Sequence, residues 1–64
     1  MKKIGEIVRS QRRRRKWTQA KLAEVAGVSL MTVVKLEAGT HTNPTIRTLR
    51  RLAQALKISI HDLI

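Results

Sequence analysis

Residues 18–39 read TQAKLAEVAGVSLMTVVKLEAG, and this stretch decides the fold. Leu22, Ala23 and Ala26 recur on one side of a helical wheel, as do Val33 and Leu36 further on, so the stretch predicts two short helices. Thr18 and Ser29 stand just before them, each with a side-chain oxygen able to accept from a free N–H of the first turn. Gly27 and Gly39 stand where each helix must end with positive φ. The residue before each cap can meet the one five positions on, which pairs Trp17 with Leu22 and Val28 with Val33. A three- to four-residue turn containing glycine holds two helices at about 90–120°. At that corner Ala23 is small where the helices cross, Val28 plugs the turn, and Leu22, Val33 and Leu36 tie both helices to a core.

Working outward, the chain keeps helical spacing and shows no clean alternation of the kind a strand requires. Ile4, Ile7 and Val8 predict a helix from Lys3 to Arg15. Leu49, Leu52, Ala53 and Leu56 predict another after Pro44-Thr45. A last turn or two follows Ser59, with Ile58 set to meet Leu63 and Ser59 paired with Asp62 as a capping box. The expected fold is all-α, a compact five-helix bundle in one domain over residues 1–64.

Composition narrows the chemistry. There is no cysteine, and two distant histidines with four acidic residues make no metal site, so neither a metal nor a cofactor is expected. No paired carboxylates, Ser/His/Asp set or phosphate-cradling glycine loop is present, and so small a core has no room to desolvate one; the chain does not read as an enzyme. No apolar run approaches the ~20 residues of a membrane span. The basic start Met1-Lys2-Lys3 is interrupted by Gly5, Glu6 and Arg9 and is no signal peptide. A cytoplasmic, nucleoid-associated protein is the expectation. The net charge of +10 on 64 residues calls for a polyanion. A membrane surface competes for it, but the caps and glycines specify a bundle and not one amphipathic helix. With Trp17 the sole aromatic, base stacking on single strands or RNA is disfavoured, and double-stranded DNA is favoured.

Residues Thr18 to Ala23, Gly27-Val28-Ser29 and Leu36-Glu37-Ala38-Gly39 resemble the phage repressor/Cro (Xre-type) helix-turn-helix family. Ile4-Gly5, Arg12, Asn43-Pro44-Thr45 and Leu52-Ala53-Gln54-Ala55-Leu56 extend the resemblance over nearly the whole chain. It implies a lambda repressor-like domain that binds operator DNA, usually as a homodimer. The expected function is a sequence-specific transcriptional regulator, in the first place a repressor, with the helix near residues 30–38 in the major groove. The rival reading is an antitoxin, or another subunit that binds a toxin or other protein partner and also grips DNA.

On the wheel, Ser29, Val33, Leu36 and Glu37 share one side of that helix, and Met31 and Lys35 point away. The family reads bases with the outward face, which makes Leu30, Met31, Thr32 and Lys35 the base-contact candidates. Several phage repressors carry glutamines where this chain has Leu30 and Met31, so the chain departs from the pattern there. Phosphate-contact candidates are Thr18 and Gln19, Ser29, and the loop Thr40-His41-Thr42-Asn43. The resemblance further implies a semi-buried ion pair between Arg12 and Glu37. Arg15 falls on the apolar line of Ile4 and Val8 and must snorkel. Arg47, Arg50 and Arg51 form a second basic face open to phosphate, a protein partner or solvent. Ile60 and Ile64 are the candidates for a dimer interface.

Overall fold

A computed structural model describes residues 4–40 and 43–63. In it the predicted caps start the helices. Thr18 Oγ1 accepts from the Lys21 N–H at 3.0 Å and Ser29 Oγ from the Thr32 N–H at 3.1 Å. Thr45 Oγ1 accepts in the same way from Thr48. After α1 (Ile4–Arg14), these caps open α2 (Gln19–Ala26), α3 (Leu30–Ala38) and α4 (Ile46–Leu56) in turn. Gly27 and Gly39 close α2 and α3 at φ 71° and 80°, in the left-handed region that costs glycine nothing.

All four helices turn their apolar stripes inward. Val8, Leu22, Val33, Leu36, Leu49, Leu52, Leu56 and Leu63 form the buried core, with Ala23, Ala26 and Ala53 filling the close crossings. Trp17, Val28 and Ile58, the residues expected to staple the helix starts, pack against that core. Close approach of α1 to α3 depends on Gly5: a Cβ there would lie 1.9 Å from the Leu36 carbonyl oxygen.

Two features differ from the sequence reading. The fifth helix is a single 3₁₀ turn over Ile60–Asp62, held by bonds from Asp62 N to Ser59 O and from Leu63 N to Ile60 O. Its capping box forms as expected, but Ser59 to Leu63 accommodates only the tighter i→i+3 pattern. The architecture is therefore four helices plus a 3₁₀ turn. In addition α1 stops at Arg14, one residue early, and Lys16 and Lys57 turn the chain at φ 57° and 55° after α1 and α4. Neither lysine carries a sequence signal for that role, since glycine or asparagine normally marks a left-handed stop.

Basic side chains then tie the elements together. Arg15 does snorkel: its guanidinium donates to Gln11 and to the Leu56 carbonyl at the end of α4, and it stands 5.9 Å from the Trp17 ring centroid. Arg51 Nη1 donates to the Gly27 carbonyl at 3.0 Å, bracing the turn between α2 and α3 from α4. Arg47 and Arg50 are exposed.

Candidate nucleic-acid interface

The site is assembled on α3, held from behind by a buried carboxylate. Glu37 lies in the last turn of α3, the negative end of the helix dipole, where a second negative charge is unfavourable. Its side chain is 2% exposed. Arg12 answers it with a two-pronged contact, Nε to Oε2 at 2.7 Å and Nη2 to Oε1 at 2.9 Å. The remaining Arg12 nitrogen, Nη1, donates to the Trp17 carbonyl at 2.7 Å. Arg9 adds a bond to the Glu37 carbonyl at 2.5 Å and a longer ionic contact to Oε1 at 3.6 Å. Burial pushes the Glu37 carboxyl up, but hydrogen bonds from Arg12 and Gln19 and the charges of Arg12 and Arg9 outweigh it. The carboxyl is held below its usual range. The same hydrogen bond from Arg12 raises the guanidinium.

The expected pair of Arg12 and Glu37 is thus present, and it is larger than a pair. Gln19 Nε2 donates to Glu37 Oε1 at 3.2 Å, which links the start of α2 to the network. One amide hydrogen of Gln19 is committed inward, and the other has no partner among the described residues. The backbone N–H groups of Gln19 and Ala20, in the first turn of α2, have no intrahelical acceptor.

Outward from this anchor, α3 presents the base-contact candidates unequally. Leu30 and Met31 are 48% and 57% exposed, and Lys35 is exposed too. Thr32 is half-buried, and its hydroxyl bonds the Ser29 hydroxyl at 2.8 Å. Met31, Thr32 and Lys35 line one surface groove together with Ser29 and Thr40, so residues expected at the base edge and residues expected at phosphate share a single concavity. Thr40 gets there because its N–H and hydroxyl both bond the Lys35 carbonyl at the end of α3. Thr18 and Asn43 are exposed. His41, Thr42 and Ile64 lie outside the described residues. Ile60 is half-buried and packs against the chain's own core.

Among the contacts that escaped the sequence reading are Gln19 on the Glu37 carboxylate, Arg9 on the Glu37 carbonyl and Arg51 on the Gly27 carbonyl. Arginines satisfying carbonyls at helix ends are a general device, but their donor and acceptor lie 28 and 24 positions apart in sequence.

This geometry has close relatives. The profile of the helix-turn-helix family matches residues 8–63. The chain belongs to the Xre/Cro-type helix-turn-helix family. Among curated members, it is 35% identical over 60 residues to the HTH-type transcriptional regulator SlrR of Bacillus subtilis, covering 94% of this chain and 40% of SlrR. It is 41% identical over 61 residues to the cryptic phage CTXphi transcriptional repressor RstR of Vibrio cholerae, covering 95% of this chain and 54% of RstR. The helix-turn-helix superposes on a chain of the solved SinR protein/SinI protein complex with a TM-score of 0.91 at 31% identity, over 95% of this chain and 59% of that one. The chain spans about half the length of the curated relatives it matches.

Proposed function

We infer that this helix-turn-helix is the DNA-binding part of a transcriptional regulator, in the first place a repressor, and that α3 enters the major groove of duplex DNA. One observation carries the reading. The outward face of α3 sets the Lys35 cation beside the exposed side chains of Leu30 and Met31, above a shallow depression shared with Ser29, Thr32 and Thr40, on a helix anchored at its far end by Glu37. A helix of this width fits the major groove, and Lys35 offers donors suited to guanine O6 and N7. The net charge of +10 supplies the long-range attraction. The curated relatives are named as transcriptional regulators and repressors, which supports the same reading, and none is named as an enzyme.

Phosphates on one side of the groove would meet Thr18, the free amide hydrogen of Gln19 and the first-turn N–H groups of α2. On the other side they would meet Ser29, Thr40, Asn43 and, if the loop follows the family, His41 and Thr42. The test is binding of a labelled duplex, a single strand and an RNA of one length across a salt series. Duplex binding that is tightest and falls steeply with salt is the expected result; equal or tighter binding to the single strand would refute it.

A second copy of the chain is part of the proposal, because one recognition helix covers about half a site. Ile60 is partly spent on the monomer's own core, which leaves it a small contribution to that contact. A further reading, attachment to a second protein, is favoured by the solved relative having been captured as a SinR protein/SinI protein complex. Co-purification with a protein encoded beside this chain would support it.

A further inference from the structure

The groove on α3 has a chemical bias that goes beyond binding DNA. Four side chains were expected to reach base edges, and only three of them project freely: Leu30, Met31 and Lys35. Thr32 is half-buried, its hydroxyl shares a bond with Ser29, and what capacity remains to a hydroxyl discriminates poorly between bases. The three free side chains offer no hydrogen-bond acceptor beyond the weak thioether sulfur of Met31. Adenine N6 and cytosine N4 present donors in the major groove and are read by amides and carboxylates, of which this face has none. Guanine presents two acceptors, which suit the Lys35 ammonium, and thymine presents a methyl, which suits an exposed apolar side chain.

Exposure sharpens the point. Leu30 and Met31 are two of four large apolar residues with exposed surface among the described residues, and they stand side by side in the first turn of the helix. The other two, Val25 and Ile46, lie on α2 and α4. The adjacent cation makes Leu30 and Met31 fit a polyanion that carries methyl groups better than an apolar protein surface, where Lys35 would have to be desolvated.

We propose, resting on the DNA-binding reading above, that the sequence preference of this domain is set by thymine C5-methyl groups packed against Met31 and Leu30 and by one guanine bound by Lys35. Met31 and Lys35 are four residues apart, about 6 Å along the helix axis, so the methyl and the guanine fall within about two base steps of 3.4 Å. Met31 is the specificity residue with the larger share, since it is the more exposed and lines the same groove as Lys35.

The experiment starts from a duplex chosen by selection from random sequence. Each thymine in turn is replaced by deoxyuridine, which removes the methyl and leaves every hydrogen-bonding group in place. The expected result is about fourfold weaker binding at one or two positions within two base steps of a required guanine, the effect of losing one methyl-sized apolar contact. Met31→Ala, at an exposed position, should keep the melting temperature and abolish the difference between thymine and deoxyuridine at one of those positions. Unchanged binding at every deoxyuridine overturns the proposal, as does a deoxyuridine effect that survives in both Met31→Ala and Leu30→Ala. Selection that enriches one duplex strongly while deoxyuridine has no effect overturns the methyl readout alone. Selection that enriches no duplex overturns the proposal while leaving duplex binding to the salt series, whereas failure to bind any duplex overturns the DNA-binding reading with it.

Discussion

Glu37 shows how one residue carries both stability and orientation. Its carboxylate is buried, accepts two bonds from Arg12 and one from Gln19, and sits on the inner side of the helix whose outer side bears Met31 and Lys35. Removing one member of a buried ion pair typically costs about 3–5 kcal/mol, because the other charge is left uncompensated. In a domain whose whole stability is of order 5–10 kcal/mol, Glu37→Ala should lose a large share of it and melt far below the native chain, as followed by circular dichroism. Unchanged melting would show that the network contributes little. The folded carboxyl is held below its unfolded value, so its contribution is complete above the ordinary glutamate range and lost as pH falls through the folded value. Acid should therefore destabilise the native chain more steeply than Glu37→Gln, and parallel acid melts of the two proteins check it. The residues of this pair were legible in the sequence through the family resemblance. Gln19's share in it was not, because a first-turn glutamine looks solvated until α3 is placed beside it.

At the scale of elements, fit depends on backbone more than on side chains. Gly5 lets α1 lie against the Leu36 carbonyl, and that neighbour is backbone with nowhere to move. Gly5→Ala should force α1 and α3 apart and lower stability by about 1–3 kcal/mol, the usual range for overpacking. Denaturant titration would measure it, and a loss below the error of the method would mean that the crossing is softer than it looks. The opposite sign is expected at the end of α4. Lys57 holds a left-handed conformation that costs a non-glycine residue roughly 1 kcal/mol, and it is exposed. Lys57→Gly should raise the melting temperature by about 4–8 °C if it recovers that energy in a domain of this size. A lower melting temperature would instead show that the lysine side chain contributes something the turn needs. Four helices were readable from caps and spacing, because both signals are local. The stops at Lys16 and Lys57 were not, because packing on either side imposes the turn on a residue with no preference for it.

At the largest scale, the helix-turn-helix spans 26 × 22 × 19 Å along its principal axes. Successive major grooves on one face of DNA lie about 34 Å apart, so a single helix-turn-helix of this size reaches one of them. Two copies on a two-fold site are the expected arrangement, with half-sites one helical turn apart, and sedimentation of the protein with full and half sites tests it. A selected site without any two-fold repeat would count against pairing. Salt reports on the same surface. Log K should fall by about 0.9 per log salt for each phosphate neutralised. Arg47→Ala and Arg50→Ala should leave that slope unchanged if the exposed face of α4 looks away from DNA, and reduce it by about one each if it does not.

By itself the sequence determined what depends on neighbours along the chain: where helices start, where glycine ends them, which stripe of each faces inward, and that a +10 surface needs a polyanion. Tertiary structure decided what depends on residues brought together from far apart. It joined Arg9 to the carbonyl and Gln19 to the carboxylate of Glu37, set Arg15 on the end of α4 and Arg51 on the turn at Gly27, and turned the last segment into 3₁₀. It also gathered Ser29, Met31, Thr32, Lys35 and Thr40 into one groove. The physical reason is range. Caps and amphipathic spacing act within a turn or two of helix, whereas a guanidinium on a long flexible stem finds whichever carbonyl or carboxylate the packed helices leave within its reach.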